Sequence, residues 1–222
     1  MPRINTFQPD NVDVRVLKDI VRFGWMSTGQ IAERYFLPPC PCPRRITRLV
    51  QHGLLKRVER FRVTPLYVPT PLGARHAGIG LKAPRKIDEN DVYHDLAVVD
   101  VADHLTSNLP GSHWLSERQL RSLATRRARQ FRSPLPGHYP DGVLVDATRR
   151  WIAIEVELSK KDEVRYRKIL RDYAELPEIA AVRWYVPSHS IRKLLERAMC
   201  DCDYTGQDMT VHDLPSCVGQ RR

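Results

Sequence analysis

Pro43-Arg44-Arg45-Ile46-Thr47-Arg48-Leu49-Val50-Gln51-His52-Gly53 is the stretch on which the reading of the N-terminal half turns. Pro43 suits the first position of a helix, where its missing N–H costs nothing, and Gly53 supplies the stop. Projected at about 100° per residue, Ile46, Leu49 and Val50 form one apolar stripe. Arg44, Thr47, Arg48, Gln51 and His52 fall on the opposite face, with Arg45 on the flank. A helix buried along one side and lined with Arg, Thr and Gln along the other suits a major groove of DNA. Arg makes bidentate contacts to guanine there, and Gln to adenine.

Upstream, Val12, Val16, Leu17, Ile20, Val21 and Phe23 recur at helical spacing, with Asp10 or Asn11 as the cap and Gly24 as the end. Ser27 or Thr28 caps a second helix carrying Ile31, Ala32, Tyr35 and Phe36. Pro38, Pro39, Pro41 and Pro43 exclude helix between it and the third. Downstream, Leu54 to Val58 and Pro65 to Pro69 read as two short strands around a basic tip of Arg57, Arg60 and Arg62. Thr70-Pro71-Leu72-Gly73 then caps a closing helix through Ala77. This order resembles winged helix-turn-helix domains. The resemblance implies double-stranded DNA as partner, contacted by Arg44, Arg45, Thr47, Arg48, Gln51 and His52 and, from the wing, by Arg60 and Arg62. A winged helix used for protein contacts is the alternative.

Charge is distributed to match. The chain carries a formal net charge of +10, yet residues 1–87 hold 16 basic and 5 acidic residues, against 20 and 21 in the rest. The whole excess lies in the first two-fifths, the footprint of a nucleic-acid-binding segment joined to a near-neutral partner. Gly78 to Asn90 lacks periodicity and is rich in Gly, Pro and basic residues. We therefore place a winged-helix domain at 1–80, a linker at 81–90 and a second domain at 91–222.

No run of apolar residues is long enough to span a bilayer, and Met1 to Asp10 lacks the core of a secretory signal, so a cytoplasmic protein without a membrane partner is expected. Five cysteines, Cys40, Cys42, Cys200, Cys202 and Cys217, are then expected as thiols. Zinc is not expected, because Cys-x-Cys is tighter than the usual structural knuckle and the two pairs lie far apart in sequence.

In the second half, Val92, Leu96, Val99 and Leu105 mark a helix with His94-Asp95 near its start, and Trp114 to Glu117 a short strand. Gln119 to Arg132, with Arg121, Arg126, Arg127, Arg129 and Arg132, reads either as a phosphate-contacting segment or as a mobile loop. His138 to Asp146 and Trp151 to Ser159 form a hairpin turning at Ala147 to Arg150. Ile152, Ile154, Val156 and Leu158 take one face of the second strand, and Ala153, Glu155 and Glu157 the other. Two glutamates so placed repel unless a cation or base neutralises them, and Arg118 or Arg150 are candidate partners. A helix over Lys161 to Leu176 buries Tyr166, Ile169, Leu170 and Tyr173. A strand at Val182 to Val186 and a helix capped by Ser188, with Ile191, Leu194 and Leu195, complete a small mixed sheet flanked by helices.

Pro140-Asp141, followed across the turn by Glu155-Val156-Glu157, resembles the PD-(D/E)XK nuclease core. The fold class implied is α+β, a winged helix-turn-helix followed by a small α/β domain of that type. The resemblance implies Asp141 and Glu155 as Mg²⁺ ligands, and a catalytic set of Asp141, Glu155, Glu157 and Lys160. The lysine expected two places after the acidic residue is replaced by Glu157, so Lys160 or Lys161 would have to serve, and weak metal binding with slow or absent cleavage is expected.

Over most of its length the chain resembles the replication-relaxation family of plasmids, phages and integrative elements. The features that carry this are Gly53-Leu54-Leu55, Tyr67 to Gly73, His94-Asp95, Ser116-Glu117-Arg118, Pro140-Asp141 and Glu155-Val156-Glu157 followed by Lys160. Three functions stay open: a DNA-binding protein of a mobile element acting in replication, transfer or its control, with a degenerate nuclease-like domain; an active Mg²⁺-dependent endonuclease; and a repressor whose second domain makes a homodimer.

Overall fold

The computed structural model describes residues 7–35, 42–59, 65–88, 90–132, 135–200 and 208–218. The chain divides into two compact units, Met1–Val92 and Tyr93–Gln220, so residues 81–92 belong with the first.

In the first unit, helix α1 (Asn11–Phe23) is fixed at its start by a capping box. The Asp10 carboxylate accepts from the Val12 and Asp13 amides, and the Asp13 side chain accepts from Asp10 N. Gly24 ends it. A two-residue strand β1 (Met26–Ser27) follows, which the sequence did not announce, and then α2 (Thr28–Tyr35), entered through Ser27 Oγ accepting from Gln30 N. Helix α3 (Cys42–Gln51) ends at Gly53, whose φ of 68° is one that side chains disfavour. Strands β2 (Leu55–Val58) and β3 (Leu66–Pro69) form an antiparallel hairpin, and β1 adds to the far side of β3, giving the order β1-β3-β2. Helix α4 (Pro71–Ala77), capped by Thr70, packs on α1.

Of the apolar stripes predicted from spacing, Val16, Leu17, Ile20 and Val21 from α1, Ile31 from α2, and Ile46 and Leu49 from α3 are in the core, while Val12, Phe23, Ala32, Tyr35 and Val50 are half-buried. Leu54, Leu55, Leu66, Ala74 and Ala77 join them. Each fully buried Leu or Ile stabilises the fold by ~1.5–3 kcal/mol, enough in sum to hold α3 against α1 and the hairpin.

The second unit begins with α5 (Val92–Asn108), then β4 (His113–Ser116), α6 (Glu117–Phe131), β5 (Gly142–Val145), β6 (Trp151–Val156), α7 (Glu163–Ala174), β7 (Ile179–Val186), α8 (His189–Cys200) and β8 (Asp208–Asp213). One sheet runs β4-β5-β6-β7-β8. Its first three strands are an antiparallel meander. The last two are parallel to β6 and reached through α7 and α8, because a parallel step needs a crossover. Val143, Val145, Ala153, Val182, Trp184 and Val186 pack against Tyr166, Ile169, Leu170 and Tyr173 of α7 and Ile191, Leu195 and Ala198 of α8.

Two expectations need correction. The Gln119 to Arg132 stretch is neither a loop nor irregular but most of α6, because Ser116 and Gln119 form a reciprocal capping box that starts it and Leu120 anchors it. Glu117 therefore belongs to a helix, not a strand. The edge strand β8 was not anticipated.

Candidate functional site

The site residues anticipated from sequence fall into two sets, one in each unit. On α3, Ile46 and Leu49 face the core, so the helix turns Arg44, Thr47 and Gln51 to solvent. Arg45 and Arg48 behave differently. Arg45 Nη1 lies 2.5 Å from Asp10 Oδ2 and 2.8 Å from Asp13 Oδ1, and Arg48 Nη2 lies 2.8 Å from Asp13 Oδ2. Asp13 is fully buried, so these contacts tie α3 to the start of α1 with little freedom. The hydrogen bond from Arg45 holds the Asp10 carboxyl below its ordinary range, and its bonds to both aspartates raise the Arg45 guanidinium. The Arg48 guanidinium also sits 5.0 Å over the Phe7 ring, which stacks on His52 at 4.2 Å. Arg45 and His52 are thus half-buried and positional, whereas Arg44, Thr47 and Gln51 are presented outward; Arg48 remains partly exposed while paired. Arg57 on β2 is exposed and paired with Glu59 at 2.6 Å. Arg60 and Arg62 lie outside the described residues.

In the second unit the antiparallel register places Gly142 opposite Ile154, so Asp141 arrives beside the end of β6. Its backbone carbonyl accepts from Glu117 N at 3.2 Å, and its Oδ2 accepts from Val156 N at 2.7 Å. His94, in the first turn of α5, reaches the same place: Nε2 lies 3.2 Å from Asp141 Oδ2 and 2.9 Å from the Val156 carbonyl oxygen. Both are acceptors, so this ring nitrogen carries a proton. Nδ1 lies 3.4 Å from Asp95 Oδ1. Burial alone would depress the imidazole, but the charge of Asp141, the hydrogen bonds to Asp141 and Asp95 and the charge of Asp95 outweigh it, and the pKa rises to about 11. Asp95 also supports the neighbouring Arg118, although burial leaves that guanidinium below its ordinary value.

Glu155 is 5% exposed. Its Oε1 receives His138 Nε2 at 2.6 Å and a short hydrogen bond from the Tyr173 hydroxyl. Burial raises the Glu155 carboxyl, opposed by the His138 hydrogen bond and reinforced by the charge of Asp141. Burial lowers His138, but its hydrogen bond to Glu155 and nearby carboxylates carry the net shift upward. Glu157, also buried, is ion-paired with Lys161. Lys160 is exposed, and Arg150 pairs instead with Asp146 at 2.8 Å on the hairpin turn.

Asp141 and Glu155 therefore do come close enough to sense each other's charge, but Glu157 is drawn off to Lys161. The neutralising groups are His94, His138 and Lys161. The first two were visible in the sequence as part of His94-Asp95 and His138 to Asp146, yet no spacing rule links positions that far apart. One oxygen of each central carboxylate is already taken up by protein hydrogens. Among the described residues no group of three or more His, Cys, Asp or Glu is disposed to hold a metal ion. In this arrangement the residues do not fit a magnesium ion: Asp141 is held by His94 and the Val156 amide, and Glu155 by His138 and Tyr173. Of the cysteines, Cys200 is an exposed thiol and Cys217 is half-buried, while Cys40, Cys202 and the Cys42 side chain lie outside the described residues. Among the described residues no helix is long and apolar enough to cross a membrane.

A family model described as replication-relaxation matches residues 17–186, from within α1 to the last residue of β7. No curated protein and no solved structure matches the chain. The match takes in α3, the hairpin β2–β3, His94, Asp141, Glu155 and Tyr173, and it spans most of the 222 residues. The chain belongs to the replication-relaxation family.

Proposed function

We propose that this is a double-stranded-DNA-binding protein of a mobile genetic element, plasmid, phage or integrative, acting in the cytoplasm in its replication, transfer or their control. The first unit serves as a winged helix with α3 as the reading helix. The second serves as a domain related to the PD-(D/E)XK nuclease core but cleaving weakly or not at all. The observation that carries the reading is α3 itself. Arg44, Thr47 and Gln51 are exposed on one face, while Arg45 and Arg48 lock the helix to Asp10 and Asp13. A reading helix needs this division, since base contacts specify only when the helix is held in a fixed pose. The hairpin β2–β3 beside it and the basic excess of residues 1–87 supply backbone contacts. For the second unit, the helix–meander–crossover order and the placement of Asp141 beside Glu155 support the nuclease relationship. The occupation of both carboxylates by histidines supports weak metal affinity.

The test uses the full chain, a labelled duplex and supercoiled plasmid. Arg44→Ala with Gln51→Ala should weaken duplex binding by ~1–3 kcal/mol for each hydrogen-bonded base that is no longer read. Supercoiled DNA with Mg²⁺ or Mn²⁺ should stay uncut or be cut very slowly. Equal affinity of the double variant and wild type would overturn the DNA-reading assignment. Robust metal-dependent cutting, abolished by both Asp141→Ala and Glu155→Ala, would overturn the second-unit assignment.

A further inference from the structure

We infer that α6 is a second nucleic-acid contact, an arginine-lined helix that grips a phosphodiester backbone and leads it to the Asp141–His94 cluster. The inference rests on the DNA-binding reading and extends it to the second unit, which by overall charge would not be suspected.

Helix α6 carries Arg118, Arg121, Arg126, Arg127 and Arg129 against one acid, Glu117, and Arg132 follows at its C-cap. Arg121, Arg126, Arg127, Arg129 and Arg132 are all exposed. Projected at about 100° per residue, Arg121, Arg129 and Arg126 fall within one arc, with Thr125 and Ser122 between them. The guanidinium forks and the Ser122 hydroxyl are donors that phosphate oxygens accept from, while the Thr125 hydroxyl donates to the Arg121 carbonyl at 2.7 Å. After Leu120 the helix has no buried residue, and Leu123 and Phe131 are 42% and 66% exposed. Glu117, the acid of α6, pairs with Arg121, and the guanidinium groups of Arg126, Arg127 and Arg129 farther along repel one another unless an anion lies among them. The occupant favoured by charge is thus a polyanion. The exposed Phe131 ring at the last position of the helix also provides a surface on which a base can stack, as proteins that hold single strands do.

The position of α6 in the fold gives this surface a direction. Its first residue donates through Glu117 N to the Asp141 carbonyl, and the Arg121 guanidinium lies 4.5 Å over the ring of Tyr139, two residues before Asp141. Arg121 also pairs with Glu117 at 2.6 Å. The arginine arc therefore runs from the free end of α6 down to the loop that carries His138 and Asp141. A backbone laid along it would end at that cluster, whether or not anything is cut there.

The experiment compares wild type, Arg126→Ala/Arg127→Ala/Arg129→Ala, the corresponding triple Lys variant, and Arg44→Ala/Gln51→Ala, all as full chains. Each is titrated with labelled single-stranded and duplex oligonucleotides over a range of salt concentrations. Alanine keeps the helix, which circular dichroism verifies, and the Lys variant keeps the charge. The triple Ala variant should lose roughly ten- to a hundredfold in affinity at moderate salt, with the slope of log K on log salt shallower by about two to three. The Lys variant should lose much less. A loss confined to single strands assigns the surface to displaced strands, and a loss confined to duplex assigns it to the helix backbone; either supports the proposal. Unchanged nucleic-acid affinity in the triple Ala variant overturns it, including where that variant instead loses binding to anionic-lipid vesicles or changes its sedimentation as a dimer. If the α6 variant is unaffected while the α3 variant is weakened, only this inference fails. If the α3 variant is unaffected while the α6 variant is weakened, the reading of α3 fails.

Discussion

At the scale of single residues, the decisive groups are those that neutralise buried carboxylates. His94 has a folded-state pKa raised to about 11 from an ordinary 6.5. A raised pKa means that the folded state holds the proton more tightly than the unfolded one. Its stabilisation is therefore complete below the ordinary value, erodes as pH rises, and is gone above about 11. His94→Gln keeps a donor toward Asp141 and the Val156 carbonyl but does not titrate. The difference in urea midpoint between wild type and this variant should shrink steadily from pH 7 to pH 10, and a difference that stays constant would contradict the assignment. Asp141 and Glu155 were legible in the sequence because a motif of short local spacing marks them. Their partners were not. His94 is 47 positions from Asp141 in sequence and meets it only once α5 is placed at the end of β6. The choice of Lys161 over Lys160 for Glu157 likewise depends on how the chain turns into α7, which no periodicity encodes.

At the scale of elements, helices with a clean apolar stripe and a named cap were read nearly to the residue. α1 starts at its Asp10 cap and stops at Gly24, α3 stops before Gly53, and α4 begins after Thr70. Elements held by pairing alone were missed. β1 has two residues and exists because β3 offers it an edge, and β8 exists because β7 does. α6 escaped because its arginines mask its period, although Ser116-x-x-Gln119 is a legible capping box. Close approaches between elements are also invisible in sequence. Gly73 in α4 is such a place: a Cβ there would lie 2.0 Å from the Leu54 carbonyl oxygen. In an open helix Gly→Ala stabilises by ~0.5–1 kcal/mol. Gly73→Ala must instead push α4 away from the turn that follows α3, and should destabilise the protein by ~1–3 kcal/mol. Thermal or urea unfolding measures it; a stabilised variant would mean that α4 does not pack this closely.

At the scale of the whole molecule, the protein is a basic unit and a near-neutral sheet unit, each with its own core. Charge asymmetry and linker composition divide the sequence at 81–90, and the compact units of the structure divide after Val92. What whole-chain charge conceals is that five of the second unit's arginines lie on α6 beside a single acid, Glu117. The unit's near-zero balance is thus an average over distinct surfaces. The proposed function stands or falls with the reading of sequence by α3. The sharpest test is selection of bound duplexes from a randomised pool, by the wild-type full chain and by Arg44→Ala/Gln51→Ala. The wild type should enrich one site, and the variant should lose base preference at two or more of its positions while keeping residual affinity for all sequences through backbone contacts. No enrichment by the wild type, or the same site recovered by both proteins, would contradict it.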